Sequence, residues 1–154
     1  KAGTQLRKKV DPGRRRDDDE KGQRMTERQR TQSASPYEES IGFSRAIRAG
    51  NRILVSGTAP VEADGSSTPG DAEAQTERCL DIIVGSIRAL GGTRTDIVRT
   101  RMFITDPADA DAVGRAHGRR FADVRPAATM VVVSALLRPE WRVEIEAEAL
   151  VGDD

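Results

Sequence analysis

The chain has 154 residues, room for one domain or one domain with a tail, and balances 25 Lys/Arg against 25 Asp/Glu. Overall neutrality argues against a dedicated nucleic-acid coat. A single cysteine and a single histidine exclude a disulfide framework and a His/Cys metal site within one subunit. No apolar run approaches the roughly 20 residues that span a bilayer. No N-terminal stretch has the apolar centre of a secretory signal. The expectation is a cytoplasmic protein of a reducing compartment, binding no metal.

Charge is unevenly placed. Residues 1–35 carry 11 basic and 6 acidic side chains, leaving 14 and 19 for the remainder. Their apolar side chains are Ala2, Leu6, Val10, Met25 and Ala34, too few to offset the entropy of ordering them. Residues 1–35 are therefore expected to be a disordered charged tail or extension, with the ordered domain at 36–154. Met25 reads as a natural start, with residues 1–24 an upstream extension. The blocks Arg14–Arg16 and Asp17–Glu20 fit a solvated tail better than a partner site.

In the ordered part, Ser44–Ala49, Gly50-Asn51 and Arg52–Ser56 read as a hairpin, with positive φ angles supplied by Gly-Asn. Breakers follow at Asp64–Ser67 and Pro69-Gly70. Asp71–Leu90 reads as a helix, with Thr76, Cys79, Leu80, Ile83, Ile87 and Leu90 on one stripe and Gly91-Gly92 as the stop. Cys79 on that stripe reads as a buried, inert thiol. Ile97–Thr105 is a β-branched strand, and Asp106-Pro107 starts a helix running to about Phe121. Ala127–Ala135 and Trp141–Val151 are two further strands. In the last, Val143, Ile145, Ala147 and Ala149 face one way, and Arg142, Glu144, Glu146 and Glu148 the other.

This order, ββαβαββ, predicts an α+β fold: a mixed sheet with two helices on one face. Apolar side chains on both faces of Ala127–Ala135 predict burial of the second face by other subunits.

Four segments then resemble, in order and spacing, the RidA (YjgF-type) family, also known as endoribonuclease L-PSP. They are Gly50–Gly57, Val98–Ile104, Arg125-Pro126-Ala127-Ala128-Thr129 and Val143-Glu144-Ile145-Glu146-Ala147. The resemblance covers roughly residues 42–151. It implies a chorismate-mutase-like fold, a homotrimer with a small-molecule ligand in each inter-subunit cleft, and no cofactor. It also implies hydrolysis of imines or enamines such as 2-aminoacrylate to a 2-oxo acid and ammonia, by a held water that a carboxylate or a backbone carbonyl orients.

Carried across residue by residue, the resemblance makes Glu144 the catalytic carboxylate of the cleft and matches Ser56-Gly57 to the family's turn after the second strand. Phe43 stands where the deaminases have tyrosine, Ala128 where they hold the substrate carboxylate with arginine, and Met130 where cysteine is frequent. Thr129 lies between these last two. The missing arginine predicts a substrate other than 2-aminoacrylate, with Arg125 or Arg101 as replacements. Glu144 also fits a solvated acidic strand face, and His117 an exposed helical histidine rather than an acid/base. Arg115, Arg119 and Arg120 fit a solvated basic face, and Trp141 an anchor of core or interface. Two further readings stand beside the hydrolase. One is a non-enzymatic binding or interaction protein on the same trimer. The other is a ribonuclease or translation inhibitor, which the acidic body and scarce aromatics disfavour.

Overall fold

Two residues, Gly50 and Asn51, close the first hairpin between Ala49 and Arg52. Gly50 has a φ of 61°, where a side chain would be strained. Asn51 does not share that left-handed conformation, so the glycine alone supplies the reversal, as a type II′ turn requires.

A computed structural model describes residues 27–152. Six strands and three helices follow in chain order: β1 (Gln29–Thr31), α1 (Tyr37–Ile41), β2 (Ala46–Ala49), β3 (Arg52–Thr58), α2 (Ala72–Ala89), β4 (Ile97–Ile104), α3 (Ala110–Phe121), β5 (Ala127–Val132) and β6 (Val143–Leu150). The strands form one sheet in the order β1-β2-β3-β6-β4-β5. Only β4 and β5 pair in parallel, with α3 as their crossover.

The mixed sheet backed by α2 and α3 agrees with the sequence reading, and two elements add to it. Disorder was expected through residue 35, yet β1 pairs antiparallel with β2 from Gln29. Backbone hydrogen bonds on a free strand edge need no apolar side chain, so composition carries no trace of them. The second addition, α1, has five residues and ends at Gly42, whose φ is 84°. Expectations for residues 1–26 lie outside the described residues.

Capping explains where the longer helices begin. The Asp71 carboxylate accepts the Ala74 N–H at 2.9 Å, and α2 starts at the next residue. Asp106 similarly accepts from Ala108 N–H at 2.9 Å, but the turn it opens is 3-10, and the α-helix proper starts at Ala110. Leu80, Ile83 and Ile87 of α2 are buried with Ile53, Ile145, Val143, Val113 and Phe121. The basic face of α3 is largely solvated, with Arg115 and Arg119 exposed, and it pairs with acidic side chains of α2. Arg119 lies 2.7 Å from Glu73, and Arg120 lies 3.0 Å from Glu77 and 2.6 Å from Asp81, all on α2.

The β6 alternation holds: Val143, Ile145, Ala147 and Ala149 are buried, while Glu144, Glu146 and Glu148 are half-buried. β5 is shorter than expected, ending at Val132, and in the single chain it is an open edge. Val131 is 41% and Val132 53% exposed. Trp141 is a core anchor, its Nε1–H donating to Ser67 Oγ at 2.9 Å and its ring set edge-on to Tyr37. Among the described residues no helix is long and apolar enough to cross a membrane.

Candidate functional site

A β-bulge shapes the site. Val55 pairs with Ala147 and Thr58 with Ile145, so β3 spends three steps where β6 spends two. The extra residue falls at Ser56-Gly57 and turns this stretch out of the regular ladder, as bulges beside active sites do. Ser56 is fixed twice: its N–H donates to Arg45 O at 3.0 Å and its hydroxyl to Ser44 O at 2.8 Å. A Cβ at Gly57 would collide with Glu144 Oε1, so a side chain there would have to displace that carboxylate.

Around this bulge lies a cavity of about 660 Å³. Its walls are the α1 region (Ser33, Ala34, Ser35, Tyr37, Ile41), Phe43 and Arg45, the bulge, the loop Ala59–Ala63, Arg78 and Ile82 of α2, Leu137, Trp141, Glu144 and Glu146. Burial pushes the Glu144 carboxyl above the ordinary carboxylate range, with Arg45 opposing and Glu146 adding to the rise. No hydrogen bond contributes to that balance. Cys79 beneath the site is fully buried, and burial together with the charge of Glu144 pushes its thiol up. It is inert, as its place on the apolar stripe predicted.

Arg45 escaped the sequence reading. It is only 5% exposed, its Nη2 donates to Gly57 O at 2.6 Å, and its guanidinium lies 5.6 Å from the Phe43 ring centre. Its Nε is 4.0 Å from Glu38 Oε1 and has no hydrogen-bond partner. Burial lowers its proton affinity, while Glu38 and Glu144 favour the charge. Nothing in a lone Ser-Arg-Ala triplet marks an arginine as buried. The one available signal was its position directly before a strand whose first residue, Ala46, is core.

The expected site residues divide into groups. Phe43, Ser56, Gly57 and Glu144 meet in the cavity. Ala128, Thr129 and Met130 lie on β5, two strands beyond β6, a lateral distance of about 10 Å. The register separates them further. Glu144 pairs with Phe103 and Phe103 with Val131, whereas Ala147 pairs with Thr100 and Thr100 with Ala128. Strand alternation therefore puts Ala128 and Met130 on the sheet face opposite Glu144, and Thr129 on the same face. Within one chain Ala128 and Glu144 do not share a site.

Neither expected replacement arginine lines the cavity. Arg101 is paired on the sheet with Glu146 at 2.9 Å and Glu148 at 3.5 Å. Arg125 is exposed just past α3 with a φ of 52°, its N–H bonded to Phe121 O, so it serves as the helix stop. His117 also lies outside the cavity. It is half-buried rather than exposed, with Nε2 2.8 Å from Thr100 Oγ1 and its ring against Phe121. Burial lowers its pKa, which favours a neutral, structural imidazole. Among the described residues no cluster of three His, Cys, Asp or Glu side chains is arranged to hold a metal ion.

Comparison with known proteins agrees with this architecture. The family model described as endoribonuclease L-PSP matches residues 33–151. An uncharacterized protein of Streptomyces coelicolor is 40% identical over 123 residues, covering 80% of this chain and 92% of its own. The crystal structure of a YjgF/YER057c/UK114-family member from Mycobacterium tuberculosis superposes with a TM-score of 0.75 at 38% identity, covering 81% of this chain and 100% of that one. A Rid-family protein of unknown function from Yersinia pestis gives 0.72 at 31% identity, again covering 81% and 100%. With the family model spanning most of the chain and relatives at 38–40% identity over four fifths of it, the chain belongs to the endoribonuclease L-PSP family, the RidA/YjgF group.

Proposed function

We propose that the protein is a cofactor-free hydrolase of a small imine- or enamine-like metabolite other than 2-aminoacrylate, acting in a cleft between subunits of a homotrimer. The observation that carries this reading is Glu144: a half-buried carboxyl of raised proton affinity, set against the side-chain-free surface of Gly57 in a cavity of metabolite size. Imine hydrolysis adds water to C=N, protonates the nitrogen and expels ammonia, leaving C=O. Such a reaction consumes only water and needs one group that can give and take a proton. A carboxyl that holds its proton more tightly than usual suits that role.

The subunit cleft is supported by the open, apolar edge of β5 and by the opposite-face register of Ala128 and Glu144, since a neighbour's β5 could reach the cavity where the chain's own cannot. The test is release of ammonia from freshly generated imines of a panel of amino acids. Release on at least one larger imine, lost in Glu144→Gln, is expected. Ligand binding without release from any member of the panel would favour the non-enzymatic binder.

A further inference from the structure

We propose that Arg45 is the positioning residue for Glu144: it fixes the bulge against which the Glu144 carboxyl lies and supplies the positive charge beside it, with Glu38 as the counter-charge behind. For the reaction served, the proposal rests on the hydrolase reading above; for the ionisation of Glu144 it stands alone.

A chain of buried contacts runs from the N-terminal segment to the reacting carboxyl. Ser33 donates to the Glu38 carboxylate from its backbone at 2.9 Å and from its hydroxyl at 2.5 Å. Glu38 Oε1 lies 4.0 Å from Arg45 Nε, and both side chains are 5% exposed. Arg45 then holds both residues of the bulge. Its carbonyl accepts from Ser56 N–H at 3.0 Å, and its Nη2 donates to Gly57 O at 2.6 Å. Glu144 Oε1 fills the space on Gly57 that a side chain would take. One glycine therefore separates the guanidinium's hydrogen bond from the carboxylate, and the two charges act on each other.

The other groups around Glu144 are committed elsewhere. Glu146 on the same strand is held by Arg101 at 2.9 Å. Arg78 and Glu62, in the cavity wall, lie 3.7 Å apart and offset each other. Cys79 beneath is fully buried with its thiol pushed up, so it carries no charge. Tyr37 is set edge-on to Trp141, and Phe103, opposite Glu144 on β4, is apolar. Arg45 remains as the cation that acts on Glu144. A guanidinium suits a buried place, because it keeps its charge where an ammonium readily gives up a proton. Burial holds the proton on Glu144, and Arg45 favours its release. A group that must both give and take a proton works best when those two effects are near balance.

The test is a ¹³C NMR titration of the Glu144 carboxyl in the full chain, its signal identified by its loss in Glu144→Gln, beside the pH profile of ammonia release. Arg45→Gln should raise the Glu144 midpoint by at least about half a pH unit, roughly threefold in proton affinity, and carry the falling limb of the rate profile upward with it. A merely structural arginine predicts the opposite, since a loosened bulge admits water and lowers the midpoint toward the ordinary carboxylate value. Glu38→Gln, which keeps an acceptor for Ser33, serves if Arg45→Gln does not fold. By removing the counter-charge it should lower the midpoint. A midpoint that stays or falls in Arg45→Gln, or that stays or rises in Glu38→Gln, overturns the proposal. The expected midpoint shifts without ammonia release from any imine would sink the hydrolase reading and leave this one intact.

Discussion

Glu144 occupies with its carboxylate the space that a Cβ on Gly57 would need. The two residues lie on neighbouring strands at the bulge, so the backbone irregularity of β3 and the proton-bearing side chain of β6 form one unit. Glycine here serves close approach rather than backbone freedom, since Gly57 is not among the positive-φ glycines.

Gly57→Ala is therefore expected to displace the Glu144 carboxyl or to open the bulge. The atom in the way is the free end of a flexible side chain beside a cavity, so the carboxylate can swing aside at little cost to stability. Thermal melts should therefore change little while imine hydrolysis falls, because the reacting group is the part that moves.

Glu144 also makes a prediction about pH. Burial raises its carboxyl in the folded state, so the folded chain binds more protons than the unfolded chain between the ordinary carboxylate pKa and the raised one. Stability then decreases as pH rises through that window. Glu144→Gln removes the ionised form and should flatten that decline. The variant should gain more over the native chain at neutral pH than at pH 4, as read from urea unfolding at both.

The N-terminal boundary offers another check. Removing residues 1–35 deletes β1 and Ser33, leaving the Glu38 carboxylate, 5% exposed, without either of its Ser33 hydrogen bonds. Against a chain starting at Glu27, this truncation is expected to cost on the order of 1–3 kcal/mol in urea unfolding.

The register predicts an effect that crosses subunits. Ala128→Arg supplies the guanidinium that the deaminases of this family use, and should raise activity on 2-aminoacrylate by about 10- to 150-fold, the equivalent of about 1.5–3 kcal/mol. The introduced group should serve a neighbour's Glu144, since the chain's own lies on the opposite face. The double variant Ala128→Arg/Glu144→Gln should be inactive alone. Refolded together with the native chain, it should produce activity that neither protein has.

Much of this was legible in the sequence, and the exceptions share a cause. α2 announced itself through the Leu80–Ile83–Ile87 stripe and the Asp71 cap, and β6 through its strict alternation. β1 and α1 were not legible, because three strand residues held by backbone bonds and five helical residues leave no periodic pattern. Glu144 and Gly57 were reached through family resemblance. Their contact was not, because it depends on a one-residue bulge that no side-chain pattern records. Arg45 was missed for the complementary reason. Sequence assigns arginine to the surface by default, and only the packed walls from α1, Phe43 and the bulge bury it.

The central claim is that the proton of Glu144 drives hydrolysis of an imine. Its most direct test is the rate of ammonia release against pH, in the native protein and in Glu144→Gln, on whichever imine of the panel is turned over fastest. The account predicts native activity that falls as pH rises through the elevated Glu144 pKa, and a loss in Glu144→Gln of at least about 100-fold at every pH. Ammonia release by Glu144→Gln at the native rate and with the native pH profile would contradict it.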